Sequence, residues 1–316
     1  DRVHLVACGT AWHAALVGRH WIESVAGIPA TAEIASEFRY ADPVLTPRSL
    51  VVAVTQSGET ADTLGAVTLA RKGGARVLAV CNVVGSSIPR ASHATLLTRA
   101  GPEIGVASTK AYTTQLLALM LLAVHLGLAR RVVPAPLART LLKGLLDTPR
   151  LARLALRTAP DVSRLARRLK RARNVFFLGR HVNGATALEA ALKLKEISYV
   201  HAEGYYGGEM KHGPLALVEP GLPVIALLPD GPVYDKTLSN LQEVRARRGD
   251  AIAVATAGNR RLARWASPVL QVPRCHPLIS PLPAIIPLQL FAYEMARLRG
   301  RDIDHPRNLA KSVTVE

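Results

Sequence analysis

Aromatic residues and cysteines are scarce in this sequence. Tryptophan, tyrosine and phenylalanine make up 4% of the 316 residues, although 49% are hydrophobic, so we expect a core of aliphatic side chains. The three cysteines, Cys8, Cys81 and Cys275, are too few and too scattered for a disulfide framework or a zinc site, as is typical of a reducing cytosol. No histidine is placed to activate Cys8, and we interpret it as a structural thiol at a strand end.

Long uncharged apolar runs are also missing. The richest stretch, residues 116–128, is too short to span a bilayer. The chain enters a predicted strand at its first residues, without the pattern of a signal peptide. We therefore expect a soluble cytoplasmic protein that does not associate with membranes.

Acidic residues are outnumbered, since 40 lysines and arginines against 23 aspartates and glutamates give a net charge of +17. Most of the excess lies in residues 130–173, which hold eleven arginines and two lysines against two aspartates. Leucines recur there at helical intervals, which indicates amphipathic helices with a solvated basic face. No aromatic residues are interleaved for stacking on bases, so we predict adventitious polyanion binding at low salt and no specific nucleic-acid partner.

The chain contains an internal repeat. Gly9 and Gly179 each follow an apolar run and precede a predicted helix, and Glu37 and Glu209 lie 28 and 30 residues further on. Each half continues with a second buried strand, a helix and a third strand. This alternation predicts an α/β fold of two doubly wound parallel-sheet domains related by duplication. We place the first domain at residues 1–132, the second, with its arginine-rich linker helices, at 133–300, and a tail at 301–316.

A hydroxyl-rich turn, residues 55–60 (TQSGET), follows the apolar run 50–54 and leads into a predicted helix. This geometry points backbone N–H groups and short side-chain donors at an anion, with the helix dipole behind them. The turn lacks the P-loop and G-x-G-x-x-G patterns, and a simple helix-capping turn is the alternative interpretation. Residues 229–232 (PDGP) of the second half are not suited to hold a phosphate in this way. We therefore expect one anion site, in the first half.

Three other segments carry titratable side chains of interest. Lys193 lies three residues before Glu196 and four residues after Glu189. From spacing alone, this pattern indicates a surface lattice of helical salt bridges. By the same reasoning, His212 is a solvated loop residue and Lys311 is a solvating charge in a polar tail.

Six segments together carry a family resemblance: residues 8–10 (CGT), 56–63 (QSGETADT), 103–111 (EIGVASTKA), 192–197 (LKLKEI), 209–215 (EMKHGPL) and 306–316 (PRNLAKSVTVE). In order, and over essentially the whole chain, they resemble the tandem sugar-isomerase (SIS) domains of the glucosamine-6-phosphate synthase family. The S-G-E-T turn alone is typical of the broad SIS superfamily. The lysine–glutamate helix, the K-H-G-P segment and the tail are more specific to the synthases.

The resemblance implies two Rossmann-like SIS domains that convert fructose 6-phosphate and ammonia to glucosamine 6-phosphate, or to glucose 6-phosphate without ammonia. It implies that Glu196 is the base that moves a proton between C1 and C2, and that Lys193 polarises this region of the sugar. His212 would assist ring opening from the neighbouring subunit of a homodimer. Lys311 would contact the open-chain sugar. No metal and no cofactor are implied.

The resemblance also implies a set of sugar-phosphate contacts. Ala11 and Thr55 depart from the family pattern, which usually has serine at both positions. Thr55 keeps the hydroxyl, whereas Ala11 loses one donor, which we expect to weaken phosphate binding by about 1 kcal/mol. The implied contacts are Thr10, Thr55, Gln56, Ser57, Thr60, Val106, Ser108 and Ala310.

The sequence does not include the glutaminase domain that releases ammonia in this family. We therefore expect an excised isomerase domain or a fragment of a longer protein. Two alternatives share most of these residues. One is a stand-alone sugar-phosphate isomerase or amino-sugar-phosphate deaminase, and the other is a non-catalytic module that senses sugar phosphates. A regulator of the second kind would call for a helix-turn-helix segment, and none is evident.

Overall fold

The computed structural model describes residues 1–315, which form two compact units. The first unit consists of residues 1–142 together with the tail from residue 308 onwards, and the second is Lys143–Arg307. The tail therefore belongs to the first unit, although the whole second unit separates it from residue 142 in sequence. The domain limits at residues 132 and 300 remain predictions.

The first unit is built on a sheet of five parallel strands in the order β2-β1-β3-β4-β5. The strands are β1 (Arg2–Ala7), β2 (Ala30–Ile34), β3 (Ser49–Val54), β4 (Arg76–Cys81) and β5 (Ala94–Leu97). The helices are α1 (Gly9–Trp21), α2 (Ala35–Phe38), α3 (Ala61–Lys72), α4 (Ser87–Ala91), α5 (Lys110–Ala129) and α6 (Ala135–Leu146), the last of which ends in the second unit.

Helices cover both faces of this sheet. On one face, Val51 and Val77 belong to a cluster that includes residues of α2, α3 and α4. On the other face, α1 and α5 approach each other so closely that a Cβ on Gly18 would lie 3.0 Å from Leu119 Cδ1 and 3.1 Å from Leu5 Cδ2. Residues 51–54 of β3 are fully buried. The apolar run is therefore a central strand buried on both faces, as its composition predicts.

The second unit is also built on five parallel strands, in the order β10-β9-β8-β6-β7. The strands are β6 (Asn174–Gly179), β7 (His201–Tyr206), β8 (Pro223–Leu228), β9 (Asp250–Thr256) and β10 (Val269–Val272). The helices are α7 (Thr148–Leu156), α8 (Ala159–Leu169), α9 (Val182–Ser198), α10 (Tyr234–Ala246) and α11 (Pro281–Leu298).

The two sheets have the same strand order, second-first-third-fourth-fifth, when strands are counted from the start of each unit. This confirms the predicted pair of doubly wound α/β domains. In such an order the chain leaves the first and third strands towards opposite sides of the sheet. Their carboxyl ends then flank a crevice where ligands bind. In the first unit this crevice lies beyond β1 and β3, and in the second it lies beyond β6 and β8.

The long apolar helices belong to the protein core. Residues 116–128 are part of the 20-residue helix α5, which is longer than the apolar run considered above. By length and composition alone, α5 and the segment Pro277–Leu298 could each cross a membrane. However, 61% and 72% of their most apolar windows are buried inside the protein, as expected for core helices of a globular fold.

Candidate active site

The turn after β3 (residues 55–60, called the β3 turn below) is fixed in shape by its own residues. The Gly58 N–H donates to Thr55 Oγ1 at 3.1 Å, and Thr55 is 3% exposed. Gly58 has a φ of +71°, and a Cβ there would lie 1.9 Å from Ser86 Oγ. Glycine is therefore required at this position, both for its backbone conformation and for space. Thr55, a predicted phosphate contact, also has a structural role in closing the turn.

The other polar residues of the β3 turn remain accessible. Gln56, Ser57 and Thr60 are only partly buried. Thr60 is the N-cap of α3, but its side chain makes no capping hydrogen bond, which argues against a simple capping turn. The carboxylate of Glu59 accepts the Ser87 N–H at 2.9 Å, and hydrogen bonds from Ser87 lower the pKa of Glu59. The negative charge in the turn is thus held by the first turn of α4.

The turn after β1 forms the other side of the crevice. Gly9 has a φ of +54° and begins α1, which places Thr10, half-buried, in the first helical turn. Ala11 follows it and is 9% exposed. Burial raises the pKa of the Cys8 thiol, which agrees with a structural rather than a nucleophilic cysteine.

The loop before α5 is organised by the carboxylate of Glu103, whose side chain is 4% exposed. Glu103 Oε1 accepts the backbone N–H groups of Thr109 at 2.8 Å and Ala111 at 3.1 Å. Its Oε2 accepts the Ser108 hydroxyl at 3.1 Å and the Lys311 ammonium at 3.0 Å. A single carboxylate therefore joins two predicted sugar-binding residues to the start of α5.

The tail lies on the first unit through contacts that are spread along it. Lys311 Nζ donates to Gly105 O at 2.7 Å as well as to Glu103. The Ser312 hydroxyl donates to Ser57 Oγ at 3.0 Å, and the Ala61 N–H donates to Val313 O at 3.1 Å. The tail is thus ordered against the β3 turn, and the view of Lys311 as a freely solvated charge is wrong.

Two other predicted contacts lie beside these groups. Val106 is half-buried in the loop that Glu103 organises. Ala310 precedes Lys311 and is exposed. The tail therefore contacts both predicted binding segments of the first unit: Lys311 shares the Glu103 carboxylate with Ser108, and Ser312 bonds to Ser57.

In the second unit, α9 holds a lysine between two carboxylates, Glu189 and Glu196. Lys193 Nζ lies 3.4 Å from Glu189 Oε1 and 2.6 Å from Glu196 Oε2. The side chains of Glu189, Lys193 and Glu196 are 0%, 2% and 20% exposed. The surface lattice expected from spacing alone is therefore wrong, because Lys193 and Glu189 are inside the protein.

The charges on α9 are unequal in number. Burial on its own would lower the pKa of Lys193, but the carboxylates of Glu189 and Glu196 outweigh it and raise that pKa. Lys193 is therefore a cation at neutral pH, and one cation faces two carboxyl groups. Glu196 is the only one of the two carboxyl groups with measurable exposure, so it is the one that a ligand in solution can reach.

His212 ends a short 3-10 helix, Gly207–His212, and is exposed. The next residue, Gly213, has a φ of +140°, a conformation that L-residues rarely adopt. Beside His212, Lys211 forms an ion pair with Glu243 at 2.9 Å. His212 is thus exposed at the end of a turn in which the preceding lysine is held by an ion pair.

The crevice of the second unit differs from that of the first. The Asp230 N–H donates to Thr256 Oγ1 at 2.8 Å, and the Asp230 carboxylate pairs with Arg274 at 2.7 Å. Beyond β6, Arg180 Nε donates to Asn240 Oδ1 at 2.9 Å. A backbone donor and the charges in this crevice are therefore used internally, which supports the expected non-equivalence of the two halves.

The sequence motif of residues 103–111 does not by itself reveal the role of Glu103. Its hydrogen bonds reach six and eight residues ahead and 208 residues to the tail, so no short-range capping pattern identifies it. Within residues 1–315, no group of three or more histidine, cysteine or acidic side chains is arranged to hold a metal ion.

Two doubly wound parallel sheets, each with a crevice beyond its first and third strands, define a ligand-binding α/β protein of the Rossmann-like class. The profile of the SIS domain family matches residues 1–125 and 168–299, which cover both sheets. The chain therefore belongs to the SIS domain family. This agrees with the family resemblance of the motifs.

Comparison with individual proteins identifies relatives of this chain more specifically. Over all of its 316 residues the chain is 53% identical to a glutamine–fructose-6-phosphate aminotransferase [isomerizing] of Thermus thermophilus, of which it covers 52%. It spans about half the length of the curated relatives it matches. The C-terminal domain of glucosamine-fructose-6-phosphate aminotransferase from Francisella tularensis superposes with a TM-score of 0.93 at 40% identity, covering 96% of this chain and 87% of that one. A glucosamine-6-phosphate deaminase from Thermotoga maritima shares the fold, with a TM-score of 0.82 at 24% identity over 99% of this chain and 90% of that one.

Proposed function

We propose that this chain is the isomerase part of a glutamine–fructose-6-phosphate aminotransferase and converts fructose 6-phosphate and ammonia to glucosamine 6-phosphate. One observation carries the proposal: α9 buries Glu189 and Lys193 while leaving Glu196 partly exposed. Burying a lysine and two carboxylates carries a desolvation penalty that lowers the stability of the protein. Such a buried cluster of charges therefore indicates a functional role. The identity to relatives that bear this name supports the choice of substrate.

The first unit is proposed to bind the phosphate end of the sugar. Thr10, Gln56, Ser57 and Thr60 supply hydroxyl and amide donors at the carboxyl ends of β1 and β3, where the N-termini of α1 and α3 favour an anion. Because Glu59 is held by Ser87, its charge is engaged away from these donors. The loop of Val106 and Ser108 and the segment of Ala310 and Lys311 are proposed to contact the sugar chain.

The second unit is proposed to supply the proton transfer. Interconversion of a ketose and an aldose phosphate needs one base that removes a proton from C1 and returns one to C2. Glu196 is that base, and the Lys193 ammonium stabilises the negative charge that develops on the oxygen atoms of the enediol. No step needs a metal ion or a cofactor in this scheme.

His212 is proposed to open the sugar ring in the site of a neighbouring copy. Its exposure at the end of a fixed turn leaves the imidazole accessible to a second chain. The active form is then a homodimer, and activity per chain should fall on dilution as copies separate. A monomer that retains full specific activity would contradict this part of the proposal.

Ammonia is proposed to come from a glutaminase domain in the part of the relatives that this chain does not match. A cytoplasmic location goes with this metabolism of phosphorylated sugars. Supplied with ammonium ions in place of glutamine, the chain alone should form glucosamine 6-phosphate. Without ammonium it should form glucose 6-phosphate.

The test is an assay of the purified chain with fructose 6-phosphate, with and without ammonium chloride, in which both products are separated by chromatography. Glu196→Gln is the control, and it should lose at least about 100-fold in rate, the usual share of a general base. No conversion by the wild type, or equal conversion by both proteins, would refute the proposal. Release of ammonia from glucosamine 6-phosphate without synthesis would favour a deaminase instead.

A further inference from the structure

The two oxygen atoms of the Glu103 carboxylate bind different kinds of partner. Its Oε1 accepts only backbone N–H groups and the Thr109 side chain, so it caps the start of α5. Its Oε2 accepts the Lys311 ammonium and the Ser108 hydroxyl, which are both proposed to contact the sugar. One atom of the carboxylate therefore serves the fold, and the other serves groups that face the substrate in the proposed function.

We propose that Glu103 is a positioning residue for the isomerisation, which aims Lys311 and Ser108 at the sugar without touching the sugar itself. This inference rests on the proposed function, because only there do Lys311 and Ser108 meet a substrate. A residue that acts in this way is buried, has its bonding capacity filled by protein groups and touches the groups that it aims. Glu103, 4% exposed and bonded to five protein groups, meets each of these conditions.

The donors of Lys311 define the direction in which it can act. A lysine ammonium has three N–H bonds and no acceptor. Glu103 Oε2 and Gly105 O take two of these bonds, at 3.0 Å and 2.7 Å. The third N–H is left for a ligand, and its direction is set by the other two. The long flexible side chain of lysine would not hold such a direction unaided.

The same pair requires Glu103 to be ionised. Burial on its own would raise the pKa of Glu103, but the N–H groups of Thr109 and Ala111 and the charge of Lys311 outweigh it and lower that pKa. The carboxylate is therefore charged at neutral pH, and it holds Lys311 as a cationic donor. The N-terminus of α5 stabilises the same negative charge.

Glu103→Gln separates the two functions of the carboxylate. The amide oxygen can still accept the N–H groups of Thr109 and Ala111, whereas the amide nitrogen that replaces Oε2 is a donor and cannot accept from Lys311. The cap of α5 is then kept while the hold on Lys311 is lost. Glu37→Gln, at an exposed position on α2, is the matched control for the loss of one negative charge.

The first readout does not depend on turnover. Trypsin cleaves after Lys311, so the release of residues 312–316 from the full chain, followed by mass spectrometry, reports how firmly Lys311 is held. Glu103→Gln should speed this cleavage about tenfold or more, the equivalent of one hydrogen bond to a charged group, while Glu37→Gln should match the wild type. Equal cleavage of Glu103→Gln and wild type would overturn the proposal.

The second readout is kinetic. Glu103→Gln should lower kcat for fructose 6-phosphate about 100-fold, the effect of a small misplacement, with KM changed less than about threefold. In a Lys311→Ala background the same substitution should cost far less than about 100-fold, because only the part of its effect that passes through Ser108 remains there. Losses that multiply in the double variant would show a merely structural role. An inactive wild type would refute the proposed function, and cleavage after Lys311 alone would then decide whether Glu103 holds this lysine.

Discussion

Each unit contains a lysine that pairs with at least one carboxylate, and the two arrangements differ in how far apart their members lie in the sequence. In the second unit, Glu189, Lys193 and Glu196 lie within two turns of α9. In the first unit, Lys311 meets Glu103 across 208 residues. Helical spacing predicts contacts of the first kind, whereas contacts of the second kind depend on where the tail docks. The comparison shows that spacing identifies partners only within one element.

Burial, and not spacing, then decides what a local pair does. The arginine-rich helices contain pairs of similar spacing, Asp147 with Arg150 and Asp161 with Arg164, and these side chains are mostly exposed. Exposed pairs of this kind contribute little to stability. On α9, Lys193 is 2% exposed and Glu189 is fully buried, so water neither hydrates nor screens the charges of this pair.

Removal of residues 308–316 is expected to have the largest effect, because it deletes Lys311, the distant partner of Glu103. Conversion of fructose 6-phosphate should fall at least as far as it does in Lys311→Ala, since Lys311 is lost together with its neighbours. The thermal midpoint of unfolding should fall by a few °C, because the deletion removes the hydrogen bonds of the tail and leaves the buried Glu103 carboxylate without Lys311. A chain that ends after residue 312 is the control, and it should keep most of its activity. Substantial turnover by the shorter chain would contradict the role of the tail.

Lys193→Met should have the next largest effect, because it leaves Glu189 buried without its partner. Breaking a buried ion pair from one side costs about 3–5 kcal/mol in the free energy of unfolding. Urea unfolding at pH 7 would measure this loss, with Lys195→Met, at an exposed position on the same helix, as the control. Equal stability of the two variants would mean that burial does not distinguish them.

Acid titration should separate the contribution of Glu103 to stability. Its pKa is lowered in the folded protein, so its contribution is fully present above the unfolded pKa of about 4.3 and is lost as the pH falls through the folded pKa. The difference in unfolding free energy between wild type and Glu103→Gln should thus be constant near pH 7 and shrink below about pH 4.3. A difference that stays constant down to pH 3 would show that the charge on Glu103 does not matter, with Glu37→Gln as the reference.

The smallest effect is expected on the arginine-rich helices. Asp161→Asn removes an exposed ion pair with Arg164, and the thermal midpoint should change by less than about 1 °C. Calorimetry of this variant beside Lys193→Met compares one exposed and one buried helical pair directly. A large destabilisation by Asp161→Asn would contradict the view that exposed helical ion pairs contribute less to stability than buried ones.

Much of the fold follows from local patterns in the sequence. The buried run before the β3 turn and its repeated partner predict parallel sheets, because a strand buried on both faces tolerates only apolar residues. Which residues surround Lys311 could not be predicted, since docking of the tail depends on contacts with Gly105, Ser57 and Ala61 that no spacing encodes. The burial of Lys193 also escaped prediction, because charged residues at helical spacing are usually exposed.

The proposed function depends above all on Glu196, the partly exposed carboxylate beside Lys193, as the group that moves the proton. The most direct measurement is kcat for fructose 6-phosphate isomerisation in two matched variants, Glu196→Gln and Glu189→Gln, each normalised to the folded fraction. We expect a loss of at least about 100-fold for Glu196→Gln with nearly native stability, and a loss below about tenfold, with lower stability, for Glu189→Gln. Equal activity of the two folded variants would contradict this role of Glu196.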